Sequence, residues 1–195
     1  MSGNSRIILL LSGPLAVGKT SVADAIIDMG GFKRLRSGAF LAQYAESNGL
    51  QNDRAGLQRI GDELDSSTDY KWLIDQIAVP AFEAECGQRR WLVDAVRKPR
   101  QVEHFRSTFA DDHVSHAHLT APEMLLRERY EARLTSGGEY AGNTRYEAAI
   151  QHPNETAARG LIDIADTVVD VHHLTARDIA TRILKTVLAP PASGT

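Results

Sequence analysis

Short apolar runs alternate along this chain with longer segments in which apolar residues recur every three or four positions. The run at 6–11 predicts a buried strand. The segment 19–29 predicts an amphipathic helix, because Val22, Ala23, Ile26 and Ile27 fall on one helical face. The same alternation predicts four further strands, at 32–35, 91–93, 113–119 and 167–171. Five short strands separated by helices predict an α/β fold with three layers, a parallel sheet covered by helices on both faces.

The segments between and after the later strands have helical patterns. We expect helices at 37–48, 54–64, 69–86, 99–109, 122–134, 154–165 and 176–188. Thr175 and Asp178 are spaced as a capping box at the start of the last of these helices. The pattern predicts a single domain over 1–188, and the proline-containing tail 189–195 is expected to be disordered.

A glycine-rich segment, GPLAVGKT at 13–20, joins the first strand to the first helix and matches G-x-x-x-x-G-K-[ST] at every position. In such a loop, backbone N–H groups surround phosphate oxygens, and the dipole of the following helix adds positive potential. Lys19 would contact the β- and γ-phosphates, and the Thr20 hydroxyl would coordinate Mg²⁺. The motif therefore predicts binding of ATP and Mg²⁺ by Gly13, Pro14, Leu15, Ala16, Val17, Gly18, Lys19, Thr20 and Ser21.

An acidic and a basic residue follow the third predicted strand. Asp94 stands at its carboxyl end, where ligands bind in open α/β sheets. It is a candidate catalytic base or a group that orders Mg²⁺, and Arg97 is a candidate clamp for an anionic acceptor. The alternative is structural: Asp94 would cap the next element and Arg97 would be solvated.

A second basic group lies on the predicted helix 122–134. Arg129 and Arg133 are four residues apart and share a helical face. The helix leads into a glycine-containing segment, so 134–145 is predicted to form a short lid. Such a lid would close over the phosphates, exclude water and bring the two arginines to the transferring phosphoryl group. The alternative is a solvent-exposed helical face with ordinary ion pairs.

Taken together, these segments resemble P-loop kinases of small metabolites, the nucleoside monophosphate kinase superfamily, over residues 6–187. Asp94–Arg97 (DAVR) is similar to the Asp-Gly-x-x-Arg segment of adenylate-kinase-type enzymes, with one residue fewer before the arginine. The segment 54–64, RAGLQRIGDEL, and Glu155 are similar to features of the deoxynucleoside monophosphate kinases and the archaeal-type dephospho-CoA kinase-like proteins. The segment 37–41 lacks an aspartate after Gly38, a departure from adenylate kinases.

The resemblance implies ATP-dependent phosphoryl transfer to a nucleotide-type acceptor, in the first place a (deoxy)nucleoside monophosphate. It further implies an acceptor side lined by Ser37, Arg54, Gln58, Asp62 and Arg97. Two other acceptors stay open, dephospho-CoA and a modified nucleoside or DNA base. A nucleotide-dependent regulatory switch, which transfers no phosphoryl group, is the alternative of another class.

Composition and charge narrow the classes of partner that we expect this protein to bind. The 22 basic and 25 acidic residues leave a net charge of −3, which excludes a uniformly basic surface and argues against a duplex DNA ligand. No apolar run approaches the ~20 residues that cross a bilayer, so a cytoplasmic protein without a membrane partner is expected, as a monomer or homodimer. Cys86 is alone, and His116 and His118 share a strand face without a carboxylate at matching spacing, so no zinc site is expected.

Overall fold

The computed structural model describes residues 5–135 and 144–189, apart from the side chain of Arg54. The five strands of its sheet are all parallel and lie side by side in the order β2-β3-β1-β4-β5. Their bounds are β1 (Ile7–Ser12), β2 (Lys33–Leu35), β3 (Arg90–Val93), β4 (His113–Thr120) and β5 (Thr167–Asp170). The predicted five-stranded parallel α/β fold is confirmed, and β1 lies at its centre.

Helices connect successive strands, as parallel pairing requires. The α-helices are α1 (Lys19–Gly30), α2 (Ser37–Ser47), α3 (Arg54–Ser67), α4 (Val79–Ala84), α5 (Pro99–Thr108), α6 (Glu123–Thr135), α7 (Tyr146–Ile150), α8 (Pro153–Gly160) and α9 (Ala176–Val187). A π-helix (Leu73–Ala78) leads into α4, and a 3₁₀-helix (Leu161–Ile164) follows α8. No helix among the described residues is both long enough and apolar enough to cross a membrane.

The side chains of β1 alternate between two apolar cores, one on each face of the sheet. Leu9 and Leu11 belong to the core that includes α1 and α9. Ile8 and Leu10 belong to the opposite core, which includes the π-helix and α5. Successive residues of a strand point to opposite faces, so a strand buried on both sides must be apolar throughout. This explains why the run at the start of the chain is continuous.

Close packing and capping fix the position of α9. A Cβ atom on Gly30 would lie 2.7 Å from the Leu184 Cδ2 atom, so the absence of a side chain at Gly30 lets α1 and α9 approach closely. The predicted capping box is present: the Asp178 N–H donates to Thr175 Oγ1 at 3.2 Å, and the Thr175 N–H donates to Asp178 Oδ2 at 3.0 Å.

Some predicted element bounds are wrong. The single helix expected at 69–86 begins only at Leu73, because Asp69 and Tyr70 have positive φ angles of 49° and 64°. Its first part is a π-helix, followed by Pro80, which has no N–H to donate. The expected helix 154–165 ends at Gly160 and continues as the 3₁₀-helix, and α7 was not predicted.

Two expectations fall largely outside the described residues. Of the expected lid at 134–145, Leu134 and Thr135 belong to α6, Thr144 and Arg145 precede α7, and 136–143 lie outside the described residues. Of the expected tail, only Ala189 is described.

Candidate active site

The loop 13–18 carries the backbone conformations that a phosphate-binding loop needs. Gly13 and Gly18 have φ angles of 146° and 99°, a region that side chains disfavour, and Ala16 has a φ angle of 65°. A Cβ atom on Gly13 would lie 2.7 Å from the carbonyl oxygen of Leu119 on β4. The first glycine is therefore required both by its conformation and by the adjacent strand.

Lys19, the first residue of α1, bends back over this loop. Its Nζ atom donates to the carbonyl oxygens of Gly13 at 2.5 Å and Pro14 at 3.1 Å. Burial lowers the Lys19 pKa from its usual range to about 8, and Glu155 opposes this by raising the pKa. Arg97 lowers this pKa further and Asp94 raises it, so charged side chains of both signs lie near the lysine.

Glu155 of α8 is a part of the loop's surroundings that sequence reasoning did not place. Its Oε1 atom accepts a hydrogen bond from the backbone N–H of Leu15 at 2.8 Å and another from Arg159 Nε at 2.9 Å. One of the backbone N–H groups of the loop thus already donates to a carboxylate oxygen. The resemblance had singled out Glu155, but only a pairing across 140 residues of sequence gives it this position.

Asp94 is held by a residue that the sequence did not single out. Its carboxylate forms an ion pair with Arg34 of β2, and both side chains are largely buried. Arg34 also lies 3.5 Å from Asp24 of α1. Since β2 and β3 are adjacent parallel strands, their side chains meet at the carboxyl edge of the sheet, and the ion pair fixes the direction of the Asp94 carboxylate.

Arg129 reaches the opposite side of the loop from α6. Its Nη1 atom donates to the carbonyl oxygen of Val17 at 3.1 Å. Arg129 and Arg133 both line a cavity of about 340 Å³, the α9 cavity, together with Ser21 and the apolar residues Leu174 and Ile179. Two guanidinium-bearing side chains and apolar groups at the end of the loop can hold a flat, partly apolar group beside a phosphate chain.

Two further cavities meet beside the loop. The P-loop cavity, about 310 Å³, is lined by Gly13, Lys19 and Asp94 among others. The α3 cavity, about 520 Å³, is lined by residues of α2, α3 and the π-helix region, among them Ser37 and Trp72. Both are lined by Gln58, Arg97 and Asn154. A molecule in the α3 cavity can therefore reach a phosphate held at Lys19.

The expected acceptor-side residues gather around the α3 cavity. Gln58 Nε2 lies 2.7 Å from His152 Nε2, and Asp62 Oδ1 accepts from Asn154 Nδ2 at 2.7 Å. Ser37 lies on the cavity wall. The side chain of Arg54 lies outside what the structure describes. Asn154 and His152 were not predicted, because they join α3 only when α8 folds over it.

His116 and His118 form a buried hydrogen-bonded group with Ser12. Ser12 Oγ lies 2.7 Å from His116 Nε2 and 2.8 Å from His118 Nδ1. Burial lowers the pKa of each histidine to about 4, so both rings are neutral at pH 7. Among residues 5–135 and 144–189, no three His, Cys, Asp or Glu side chains are grouped to hold a metal ion.

The chemistry of the loop fits a magnesium nucleotide. Mg²⁺ is usually held by few protein oxygens together with the phosphates of its ligand. Thr20 is exposed in the first turn of α1, where its hydroxyl can serve as one ligand. Asp94, on the P-loop cavity, can order bound water.

Comparison with known proteins identifies the fold. No family model and no curated protein matches the chain. Among solved structures, a presumed kinase from Chloroflexus aurantiacus has a TM-score of 0.59 at 18% identity, over 93% of this chain and 98% of that one. A tunicamycin resistance protein from Deinococcus radiodurans has a TM-score of 0.58 at 19% identity, over 95% and 99%. A shikimate kinase from Acinetobacter baumannii, in complex with shikimate, has a TM-score of 0.55 at 17% identity, over 97% of each chain. The chain has the fold of P-loop kinases.

Proposed function

We propose that this protein is an ATP-dependent phosphotransferase that acts on a small acceptor molecule. The observation that carries the proposal is the junction of the two cavities: the α3 cavity meets the P-loop cavity at Gln58, Arg97 and Asn154. A P-loop alone would serve a switch equally well. A second site that leads to the transferable phosphate is what a kinase requires.

On the donor side, the backbone N–H groups of 13–18 and the ammonium group of Lys19 would bind the phosphate chain of ATP. Thr20 would hold Mg²⁺, with Asp94 ordering its water, and the metal ion would neutralise charge on the phosphate oxygens when bound. The ammonium group has to leave the carbonyl oxygens of Gly13 and Pro14 to contact phosphate. Glu155 has to release the Leu15 N–H, since two anions cannot share that donor.

On the acceptor side, Asp94 would take the proton of an attacking hydroxyl, or order Mg²⁺ where the attacking group is a phosphate. Its ion pair with Arg34 restrains the carboxylate on the wall of the P-loop cavity, and we assign Arg34 as a positioning residue. Arg97, at the same junction, would clamp an anionic group of the acceptor. Its peptide N–H donates to Gln101 Oε1 at 2.8 Å, which anchors the backbone at this position.

Negative charge on the transferring group would be met by Arg129 and Arg133 of α6. Both lie on the α9 cavity next to Gly18, and Arg129 already contacts the loop through Val17. Preorganised guanidinium groups stabilise the developing charge of phosphoryl transfer more than they stabilise bound ATP.

For the acceptor we propose a nucleotide-type molecule, in the first place a (deoxy)nucleoside monophosphate. The α3 cavity supports this because it offers an arginine at the junction, an aromatic side chain, Trp72, and amide groups on its walls. Dephospho-CoA and a modified nucleoside or DNA base also carry groups that such side chains bind, and they are the alternatives. The departure from adenylate kinases after Gly38 argues against AMP as the main acceptor.

Acceptor-stimulated ADP formation tests the proposal. We expect at least one member of a panel of deoxynucleoside monophosphates, ribonucleotides, nucleosides and dephospho-CoA to raise ADP formation well above the rate with ATP and Mg²⁺ alone. Lys19→Ala should abolish that stimulation. Lys71→Ala, which removes an exposed lysine away from the loop, is the matched control and should leave it unchanged. ATP binding without stimulation by any acceptor would favour the nucleotide-dependent switch and refute the kinase.

A further inference from the structure

A buried aspartate that the proposed chemistry does not use lies on the wall of the α3 cavity. Asp65 of α3 is only 8% exposed. One of its carboxylate oxygens, Oδ1, accepts two hydrogen bonds, from Trp72 Nε1 at 2.7 Å and from Gln101 Nε2 at 3.0 Å. Buried carboxylates are seldom found without such partners, because burial of the charge is costly.

The other carboxylate oxygen of Asp65, Oδ2, differs from Oδ1 in its hydrogen bonding. Among the residues that the structure describes, no side chain or backbone N–H bonds to Oδ2. Oδ2 is also not among the described side-chain atoms that are buried without a hydrogen-bond partner, and Asp65 lines the α3 cavity. An ionised carboxylate oxygen can accept two hydrogen bonds. Asp65 therefore presents an unused acceptor to whatever fills the cavity.

The orientation of this carboxylate is fixed by its neighbours. Gln101 Oε1 accepts from the backbone N–H groups of Arg97 at 2.8 Å and Lys98 at 3.2 Å. Since the amide oxygen is engaged there, the amide nitrogen must be the end that faces Asp65. Trp72 is held by stacking on Phe40, with ring centroids 5.8 Å apart and planes inclined by 25°. Both donors to Oδ1 are thereby set before a ligand arrives.

Charge in the cavity is arranged along its length. Arg97, which also lines the P-loop cavity, lies at the junction, whereas Asp65 and Trp72 line the α3 cavity alone. Burial raises the pKa of Asp65, and the hydrogen bonds from Trp72 and Gln101 oppose that rise. An anionic group fits beside Arg97 and would be repelled at the Asp65 end. That end suits a neutral group that donates hydrogen bonds and can lie against an indole ring.

We infer that Asp65 determines acceptor specificity, by accepting at Oδ2 a hydrogen bond from an N–H or O–H group of the acceptor. The inference rests on the proposed function and deepens it. It places the acceptor with its anionic or phosphoryl-accepting end toward Arg97 and its donor group against Asp65. For a nucleotide the donor is an N–H of the base edge, and for a sugar-like acceptor it is a hydroxyl. Both present the same chemistry to the carboxylate.

Asp65→Asn tests this directly because it reverses the polarity of one atom. Asn Oδ1 can keep both hydrogen bonds, from Trp72 and Gln101, which turns the Nδ2 donor toward the cavity where Oδ2 was. Hydrogen bonds to charged groups contribute more than neutral ones, so we expect the acceptor KM to rise about tenfold or more. The Kd for ADP and the acceptor-independent rate of ATP hydrolysis should not change. Glu63→Gln, an exposed change on the same helix, is the matched control.

Methylated acceptors test the wild-type protein without any variant. For the nucleotide that stimulates ADP formation most, the N-methylated base analogue removes the base donor. For a sugar-like acceptor, O-methyl ethers remove the hydroxyl donors. We expect one such analogue to bind the wild type more weakly than its parent acceptor does. The Asp65→Asn variant should distinguish little between that analogue and its parent. Whichever analogue behaves so identifies the donor as base N–H or sugar O–H.

The outcomes separate the two proposals. If no acceptor stimulates the wild type, the proposed kinase function fails. If the wild type is stimulated but Asp65→Asn keeps its acceptor KM, the role of Asp65 is refuted while the kinase stands. Should Asp65→Asn fail to fold, equal wild-type affinities for the parent acceptor and all of its methylated analogues would refute it as well.

Discussion

The charge of Lys19 should make nucleotide binding depend on pH in a range where ordinary lysines stay protonated. Burial holds its pKa at about 8, whereas an unperturbed lysine titrates near 10.4. Contact with phosphate stabilises the protonated form, so the pKa must be higher in the complex than in the free protein. Nucleotide affinity is therefore highest below pH 8 and falls as the pH rises through the pKa of the free protein.

The size of the effect follows from the fraction of free protein that carries the charge. With a pKa of about 8, roughly nine-tenths of Lys19 is protonated at pH 7 and roughly one-tenth at pH 9, where each pH unit is a factor of ten. The Kd for ADP should thus rise about tenfold between these two values, about 1.4 kcal/mol. Phosphate groups with a second pKa near 6 are already ionised over this range, so the ligand contributes little.

Calorimetric titration with ADP and Mg²⁺ at half-unit steps from pH 7 to pH 9.5 measures this dependence. Lys19→Arg is the control, because a guanidinium group stays charged throughout, and its weaker binding should not vary with pH. Glu155→Gln should move the midpoint below pH 8, since Glu155 raises the Lys19 pKa. A wild-type Kd that is constant to pH 9 would refute the reasoning. So would an ADP affinity of Lys19→Arg that falls with pH in parallel with that of the wild type.

Three further changes test other parts of the site. Gly13→Ala places a Cβ atom 2.7 Å from the Leu119 carbonyl oxygen at a φ angle of 146°. Thermal melts should show a lower Tm, and ADP titration should show binding that is at least about tenfold weaker. Normal ADP affinity would contradict the tight fit. Arg129→Ala should lower kcat more than ATP affinity in steady-state kinetics, because its charge is needed most during transfer; equal losses would indicate ground-state binding instead. His116 and His118 have folded pKa values of about 4, below the usual 6.5, so the unfolded chain binds more protons between these values. The free energy of unfolding in urea should accordingly fall by up to about 1.4 kcal/mol per pH unit for each histidine as the pH drops from 6.5 to 4, and a flat profile there would show that the rings are not buried as neutral groups.

More of the fold than of the candidate site could be predicted from the sequence. The strands, the main helices and the P-loop were predictable because each depends on residues adjacent in sequence. The failures occurred where local signals conflict with packing: the pattern of 69–86 is helical, yet the left-handed residues Asp69 and Tyr70 interrupt it. The carbonyl oxygen of Asp69 and the buried His104 ring lie 2.7 Å apart, a long-range contact at that turn which no periodicity reveals.

The acceptor side was predicted only in outline. Gln58, Asp62 and Arg97 line one cavity, and their role toward an acceptor stays a prediction. His152 and Asn154, the partners of Gln58 and Asp62, lie next to and on α8, about ninety residues further along the chain. Asp65 carries the same carboxylate as many surface aspartates, and its burial is visible only once Trp72 and Gln101 are in place.

By itself, the sequence determined the parallel α/β fold and the loop suited to phosphate. A continuous apolar strand can be buried only between two layers, and backbone N–H groups at 13–18 need no partner from elsewhere in the chain to form a phosphate site. Tertiary structure decided the rest. Glu155 bonds the Leu15 amide across 140 residues, His116 meets Ser12 across 104 and Arg34 meets Asp94 across 60. Electrostatic fields and hydrogen bonds act over a few ångströms of space, so the charge of Lys19 and the open oxygen of Asp65 depend on contacts that only the folded chain creates.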